Sequence, residues 1–347
     1  MDNKVRIGIA GAGNWGRNLV RNFSQLKEAE LRVICDIDPQ ILQSMKVLYP
    51  GVATTSRYED LLENGEIDAI VVATIAKEHY ELAKKALLAE KDLFVEKPMT
   101  LSLEEAEELV EIAEGRGRIL MVGHLLKYHP AVTMVKRLIE SGELGEIYYL
   151  YSQRLNLGQI RRDENSLWSF APHDISVILY LLDDEPIRVN ATGGYYIQRG
   201  IEDVTFLNLH FRDRKMAQIH VSWLDPHRVR KLTVVGSKKM VVFDDVEAME
   251  KVKIFDKGVG LSAFPSYEEV ATLRFGDIYI PRVDMTEPLR LECQHFLECV
   301  RERKVPRSDG RDGLRVIKVL EAAQLSLEGR GVPVDLSISL PRKSKTS

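Results

Sequence analysis

Val5-Arg6-Ile7-Gly8-Ile9-Ala10 runs directly into Gly11-Ala12-Gly13-Asn14-Trp15-Gly16, and this junction decides the fold. The apolar run reads as a strand and Arg17 to Leu26 as a helix, so the glycines occupy a strand-to-helix turn. Gly11 permits a tight turn, Gly13 lets backbone approach a pyrophosphate, and Gly16 lets the helix sit close to the sheet. The helix N-terminus then points its free amides at phosphates. Glycine spacings of this kind also arise by chance, so the string is weak alone. Asp36, at the end of the next strand (Leu31 to Cys35), strengthens it. A carboxylate there accepts hydrogen bonds from the adenosine ribose and repels a 2′-phosphate. No Arg or Lys follows in Ile37-Asp38-Pro39-Gln40, so the expected cofactor is NAD rather than NADP. Asn14 and Trp15, inside the turn, are expected to line the same site. The competing reading is an ordinary turn with Asp36 as a loop residue.

Downstream, apolar runs alternate with amphipathic segments. Pro39 to Val47 reads as a helix, Asp68 to Ala73 as a strand buried on both faces, and Glu78 to Ala89 as a helix. Leu93 to Val95, Leu103 to Ile112 and Ile119 to Val122 complete the series. Such alternation specifies an α/β, doubly wound parallel sheet of Rossmann type over residues 1–123. After a helix at Pro130 to Ile139 the period changes to two. Ile147 to Leu155, Val204 to Phe211, Met216 to Trp223 and Leu232 to Val235 predict a large, open, mostly antiparallel sheet in a second α/β domain over 124–340. Helices at Pro288 to Arg301 and Gly313 to Leu327 are expected to pack back on the first domain. Residues 341–347 read as a flexible basic tail.

The 347 residues are 45% hydrophobic and carry a formal net charge of -4. That balance gives no reason to expect nucleic acid as a partner. Cys35, Cys293 and Cys299 lack metal-ligand spacing and fit a reducing compartment as core side chains. No stretch reads as a leader or a membrane span, so the expected address is the cytoplasm. The scattered histidines His124, His129, His210, His220, His227 and His295 predict no metal.

Glu96-Lys97-Pro98 follows the fifth strand, at the sheet edge where open α/β folds gather ligand contacts. Pro98 fixes φ and removes a donor, which stiffens the strand end. By composition, a solvated Glu-Lys pair is an equal reading. The glycine turn, this tripeptide and the change to a large sheet domain resemble the glucose–fructose oxidoreductase, inositol dehydrogenase and MocA family. Thr74 with His79 resembles that family's segment after the fourth strand, and Gly123-His124 and Ile280-Pro281 to Pro288-Leu289 extend the likeness along nearly the whole chain. The resemblance implies that Glu96 and Lys97 lie in the nicotinamide site and that Lys97 works with a histidine of the second domain. It also implies that the open sheet serves as an oligomer face, giving a homodimer or homotetramer. Arg154-Leu155-Asn156-Leu157-Gly158, Arg162-Asp163-Glu164-Asn165, Leu167-Trp168, Ala171-Pro172-His173-Asp174 and Ser222-Trp223-Leu224-Asp225-Pro226 resemble the branch of nucleotide-sugar 3-dehydrogenases acting on UDP-linked N-acetylglucosaminuronic acid.

Oxidising a secondary alcohol requires a hydride acceptor, a base and a donor for the oxygen. His173 is the expected base, since imidazole titrates near neutrality. It is read as lying where an apolar helix begins, with Asp174 in the first turn as a dipole-complementing residue. Alone, it would read as a helix-start histidine bonded to backbone. Many family members carry Asp four residues earlier, where this chain has Ser169, which cannot offset a cation or accept a proton. Arg154, Arg161, Arg162, Arg228, Arg230 and Lys231 form two basic clusters, each also readable as solvated charge. Arg154 with Asn156, joined by Arg162 and Trp168, is the expected set for an anionic sugar. The expected reaction is oxidation of a sugar hydroxyl, at C3 by resemblance, with 2-oxoglutarate as a candidate acceptor for hydride returned from NADH. Alternatives are another sugar or polyol dehydrogenase, a redox glycosidase, or a non-catalytic NAD-sensing regulator.

Overall fold

The computed structural model describes residues 4–261 and 271–336, so the expected basic tail at 341–347 lies outside the described residues. The chain forms two compact units, one of residues up to His129 with Thr286–Ile317, the other of Pro130–Met285 with the chain from Lys318 onward. The sequence reading places one break at 123/124; the structure crosses between units three times.

In the first unit, strands β1 (Val5–Ala10), β2 (Ala29–Cys35), β3 (Ala53–Thr55), β4 (Ala69–Val72), β5 (Asp92–Glu96) and β6 (Leu120–Gly123) pair in the order β3-β2-β1-β4-β5-β6. Every pairing is parallel. The connecting helices are α1 (Gly16–Gln25), α2 (Pro39–Leu48), α3 (Glu59–Leu62), α4 (Ala76–Leu88) and α5 (Leu103–Gly115). Local chemistry starts them where the sequence implies: the Asp38 side chain accepts from the Gln40 amide with Pro39 at the first turn, and Ser102 accepts from the Glu105 amide. β3 and α3 escape sequence reading because Ala53-Thr54-Thr55 and a single helical turn are too short to display a period. The strand order reverses between β1 and β4, which opens a crevice at their carboxyl ends.

In the second unit, α6 (Pro130–Glu140) leads into β7 (Ile147–Leu155), then α7 (Ser166–Leu182), β8 (Arg188–Gly194), β9 (Val204–His210), β10 (Met216–Ser222), β11 (Val229–Gly236), β12 (Met240–Asp244), β13 (Val252–Leu261) and β14 (Ala271–Tyr279). These strands, with β15 (Val334–Asp335), form a nine-stranded sheet ordered β14-β13-β12-β11-β7-β10-β9-β8-β15. β7 and β10 run parallel; the other pairings are antiparallel. α7 packs on this sheet over β7, β9 and β10. Among the described residues no helix is long and apolar enough to cross a membrane.

Two helices close the chain, α8 (Pro288–Glu302) and α9 (Gly310–Glu328). α8 belongs to the first unit. Its Leu289, Cys293, Phe296, Leu297 and Val300 join the buried core beside Ile9, Leu19, Phe23 and Phe94. The Phe296 ring meets Phe94 and Phe23 edge-on at centroid distances of 5.7 and 6.3 Å. Burying that ring contributes several kcal/mol, about 3–5 on truncation to alanine. Arg21 of α1 fastens the helix start through an ion pair with Glu287. The three cysteines are buried free thiols.

α7 corrects one expectation. His173 does not sit at a helix start but two turns inside, with Asp174 beside it, and Asn165 provides the cap by accepting from the Trp168 amide. The polar Ser166 and Ser169 and the internal Pro172 hide these first turns from a reading by apolar period. Asp174 therefore has no helix N-terminus to complement.

Candidate active site

The first unit builds a phosphate cradle. Gly11 has φ +90°, and a Cβ there would meet the Ala73 carbonyl oxygen at 2.6 Å. A Cβ on Gly16 would stand 2.0 Å from the Gly11 carbonyl oxygen, so this glycine lets α1 start against the turn. Gly13 differs, since a Cβ there meets nothing within 4 Å. Its lack of a side chain serves no packing need of the protein, and a ligand needing close backbone approach accounts for it. α1 begins with no side-chain cap and no acidic residue in its first turn, so no carboxylate of its own competes with an anion at its N-terminus. Asp36 fixes the turn from β2: its Oδ2 accepts from the Ala12 amide at 2.8 Å and its Oδ1 from the Asp38 amide at 2.9 Å. A carboxylate so bonded keeps lone pairs for ribose hydroxyls. Asn14 lies exposed in the turn. These features fit a dinucleotide such as NAD.

The loops after β4 and β5 form the other end of the crevice. His79 of α4 is buried, its Nδ1 2.8 Å from the Pro98 carbonyl and its Nε2 3.2 Å from the Thr74 carbonyl. Burial holds its pKa below the ordinary value, so the ring favours the neutral form, whose single N–H donates to one of the two carbonyls. His79 thus sits between the Thr74 loop and the cis Lys97–Pro98 step, with one ring nitrogen turned to each carbonyl. Glu96 ends β5 and is almost wholly enclosed; one oxygen accepts from the Trp15 indole and the other from the Lys97 amide. Lys97 is half-buried beside it. His124, just past β6, is buried with neither ring nitrogen hydrogen-bonded among the described residues, and burial pushes it down to about 4.

The second unit carries the other candidate residues. Arg154 on β7 pairs with Asp174 through its Nε at 2.6 Å, and Ser152 donates to the same carboxylate. Asp174 therefore anchors a guanidinium. Opposite Arg154 in the β7–β11 register stands Arg230. Its guanidinium donates to the Leu155 and Val229 carbonyls and to the Asn156 side chain, and lies 5.6 Å from the Phe170 ring centroid. Burial, then the charges of Arg154 and Arg228, lowers the Arg230 pKa to about 10. So Arg154 and Asn156 do lie in one cluster, organised by Asp174 and Arg230. Trp168 is buried in α7, whereas Arg162 is exposed in the loop before it, next to the Arg161–Glu164 ion pair. The parts played by Arg230, Phe170 and Asp174 depend on strand register, which residue spacing does not encode. Ser169 is buried in α7, its amide bonded to the Asn165 carbonyl. Among the described residues no group of three or more His, Cys, Asp or Glu is placed to hold a metal.

Comparison with known proteins agrees with this architecture. Residues 5–124 match the oxidoreductase family with an NAD-binding Rossmann fold, and residues 132–242 match the GFO/IDH/MocA C-terminal domain. The scyllo-inositol 2-dehydrogenase (NAD(+)) of Bacillus subtilis is 28% identical over 97% of this chain and 98% of its own. The structure of the UDP-N-acetylglucosamine 3-dehydrogenase GnnA from Acidithiobacillus ferrooxidans superimposes with a TM-score of 0.79 at 21% identity, covering 94% of this chain and 99% of the other. An oxidoreductase from Agrobacterium radiobacter, solved with NAD+, L-tartaric acid and magnesium, gives a TM-score of 0.80 at 18% identity over 96% and 99% of the two chains. These two likenesses concern the fold. The chain is a member of the GFO/IDH/MocA family of oxidoreductases, with an NAD-binding Rossmann domain.

Proposed function

We propose that this protein is a cytoplasmic, NAD-dependent dehydrogenase that oxidises a secondary hydroxyl, at C3, of an anionic nucleotide-linked sugar such as a UDP-linked N-acetylated uronic acid. The observation that carries the anionic substrate is the Arg154–Arg230 pair. Two guanidiniums face each other across one ladder, and Asp174 compensates one of them. Like charges directly opposed destabilise a sheet, and a phosphate or carboxylate ligand offsets that cost. Bound NAD supplies the hydride acceptor. Lys97, stiffened by Pro98, donates to the reacting oxygen, and His173 takes its proton. Asp36 holds the Gly-rich turn and receives the adenosine ribose, while His79 keeps the Thr74 and Lys97 loops in place.

The nine-stranded sheet supports a homodimer or homotetramer, since Leu273 and Phe275, two residues apart on β14, are 68% and 74% exposed. Light scattering at micromolar concentration tests this; a monomer removes it.

The activity test is incubation with NAD and a panel of nucleotide sugars and free polyols, followed at the reduced-nicotinamide absorbance band, with and without 2-oxoglutarate. NADH formed with a UDP-uronate, and lost in Lys97→Met and His173→Asn, establishes the reading. A response to inositols alone replaces the substrate class. Tight NAD binding with silence across the panel favours a cofactor-sensing regulator.

A further inference from the structure

Two elements meet the carboxylate of Glu96, and a third places a second buried acid within its electrostatic reach. Trp15, from the Gly-rich turn, donates its indole N–H to one oxygen. β6 approaches through Gly123, the register partner of Glu96, where a Cβ would stand 2.9 to 3.1 Å from the Glu96 carboxylate atoms. α8 contributes Glu292, which is fully buried with neither carboxylate oxygen hydrogen-bonded among the described residues. A glycine on the neighbouring strand makes room for this enclosed carboxylate, an indole donates to it, and a second buried acid lies within its electrostatic reach. The position is informative as well, because the nicotinamide half of a dinucleotide lies over the carboxyl ends of β4 to β6.

We propose that Glu96, backed by Glu292, sets the preference of this protein between the oxidised and reduced forms of its nicotinamide cofactor, through the charge it carries. The inference rests on the NAD-dependent reading above and concerns binding of the two cofactor forms, not the chemical step. Oxidised nicotinamide is a cation and reduced nicotinamide is neutral, so an ionised Glu96 favours the oxidised form in an enclosed site. Protonated, it favours neither. Burial raises the Glu96 pKa to about 7, against smaller opposing effects from the Trp15 hydrogen bond and the Lys97 charge. Burial and the charge of Glu96 hold Glu292 well above the ordinary carboxylate range too, so the pair passes from neutral to singly negative as pH rises. The other titratable groups that feel the pair are Cys293 of α8, which in turn feels Glu287 and Arg21, and Tyr128 after β6; His124, beyond β6, feels Lys97, Lys127 and Asp312 instead. Burial pushes the Cys293 thiol and the Tyr128 phenol up, and His124 stays neutral. The charge step is assigned to Glu96, whose carboxylate the Trp15 indole bonds, and Glu292→Gln tests the assignment.

The experiment measures dissociation constants for NAD+ and NADH from pH 6 to about 8.5 by calorimetry, in the full-length protein. The NADH-to-NAD+ ratio of constants is expected to rise on the order of tenfold across that range. Glu96→Gln, which keeps an acceptor for Trp15, should flatten the ratio, and Glu292→Gln should retain the rise. Independently, the cofactor-free protein should show a Trp15 fluorescence titration near neutral pH that Glu96→Gln abolishes. A pH-independent ratio in the wild type, or a rise that survives Glu96→Gln, overturns the inference alone. No binding of either form defeats the cofactor reading and the inference with it. A step lost in Glu292→Gln but kept in Glu96→Gln assigns the charge to Glu292 and overturns the role of Glu96.

Discussion

Arg154 and Arg230 occupy paired positions on β7 and β11, and they are held differently: Arg154 by the Asp174 carboxylate, Arg230 by Asn156, two backbone carbonyls and the face of Phe170. The partners of Arg230 are neutral, so its charge is left for an anion. Arg230→Gln should therefore raise the KM for an anionic sugar nucleotide about 10- to 100-fold, the worth of one or two charge-assisted hydrogen bonds. kcat should change far less. Steady-state kinetics at low and high salt checks this, and an unchanged KM would remove Arg230 from substrate recognition.

The Asp174 carboxylate should behave as structure. It is nearly enclosed, as is its partner guanidinium, with side chains 6% and 12% exposed. Breaking a buried pair from one side leaves an uncompensated charge, at about 3–5 kcal/mol. Asp174→Asn should lose stability on that scale, and Arg154→Met combined with it should lose less than the sum of the two. Urea unfolding of the four proteins decides; strict additivity would contradict the pairing.

Much of this was legible in the residues. β1, the glycine turn and α1 announce themselves because a buried parallel strand is a continuous apolar run and the turn chemistry is glycine-specific. The sequence bounds of β7, Ile147 and Leu155, match the structure, since the run is rich in Ile, Tyr and Leu, although its buried positions (Ile147, Leu150, Ser152 and Leu155) do not alternate strictly. What escaped depended on neighbours distant in sequence. Asp174 read as a helix-start acid because its partner Arg154 is twenty residues away on a strand. His79 read as a cofactor contact, but its ring nitrogens are turned to the Pro98 and Thr74 carbonyls. Glu292 carried no signal, for an acid on an amphipathic helix ordinarily lies on the wet face, and this one is fully buried within the electrostatic reach of Glu96.

The glycines of the cradle should separate binding from folding. Gly13→Ala adds a Cβ that touches no protein atom, so thermal stability should hold while NAD affinity falls tenfold or more, about 1.4 kcal/mol. Gly16→Ala drives a Cβ to 2.0 Å from a backbone oxygen, so the fold itself should suffer. Thermal unfolding with and without NAD reads both. Equal stability losses in the two variants would show that Gly13 has a packing role instead.

Burial of Glu96 and Glu292 also predicts how stability responds to pH. Both carboxyls hold their protons above the ordinary value of 4.5, Glu96 up to about 7 and Glu292 well above that ordinary value. Above about pH 4.5 the folded chain then binds more protons than the unfolded one. Stability from these groups is complete below that pH and is lost as pH rises through 7. His124 opposes them at lower pH. Its pKa falls from 6.5 to about 4, so the unfolded chain binds the extra proton between those values, and stability rises across that window. Above pH 6.5 the His124 contribution is complete, while that of the carboxyls continues to fall. Glu292→Met, which removes an enclosed and unbonded carboxyl, should therefore gain more at pH 8 than at pH 5, by at most about 1.4 kcal/mol for each pH unit. Urea midpoints at the two pH values measure the difference, and an equal gain at both would show that Glu292 ionises in the folded protein much as it does in the unfolded chain.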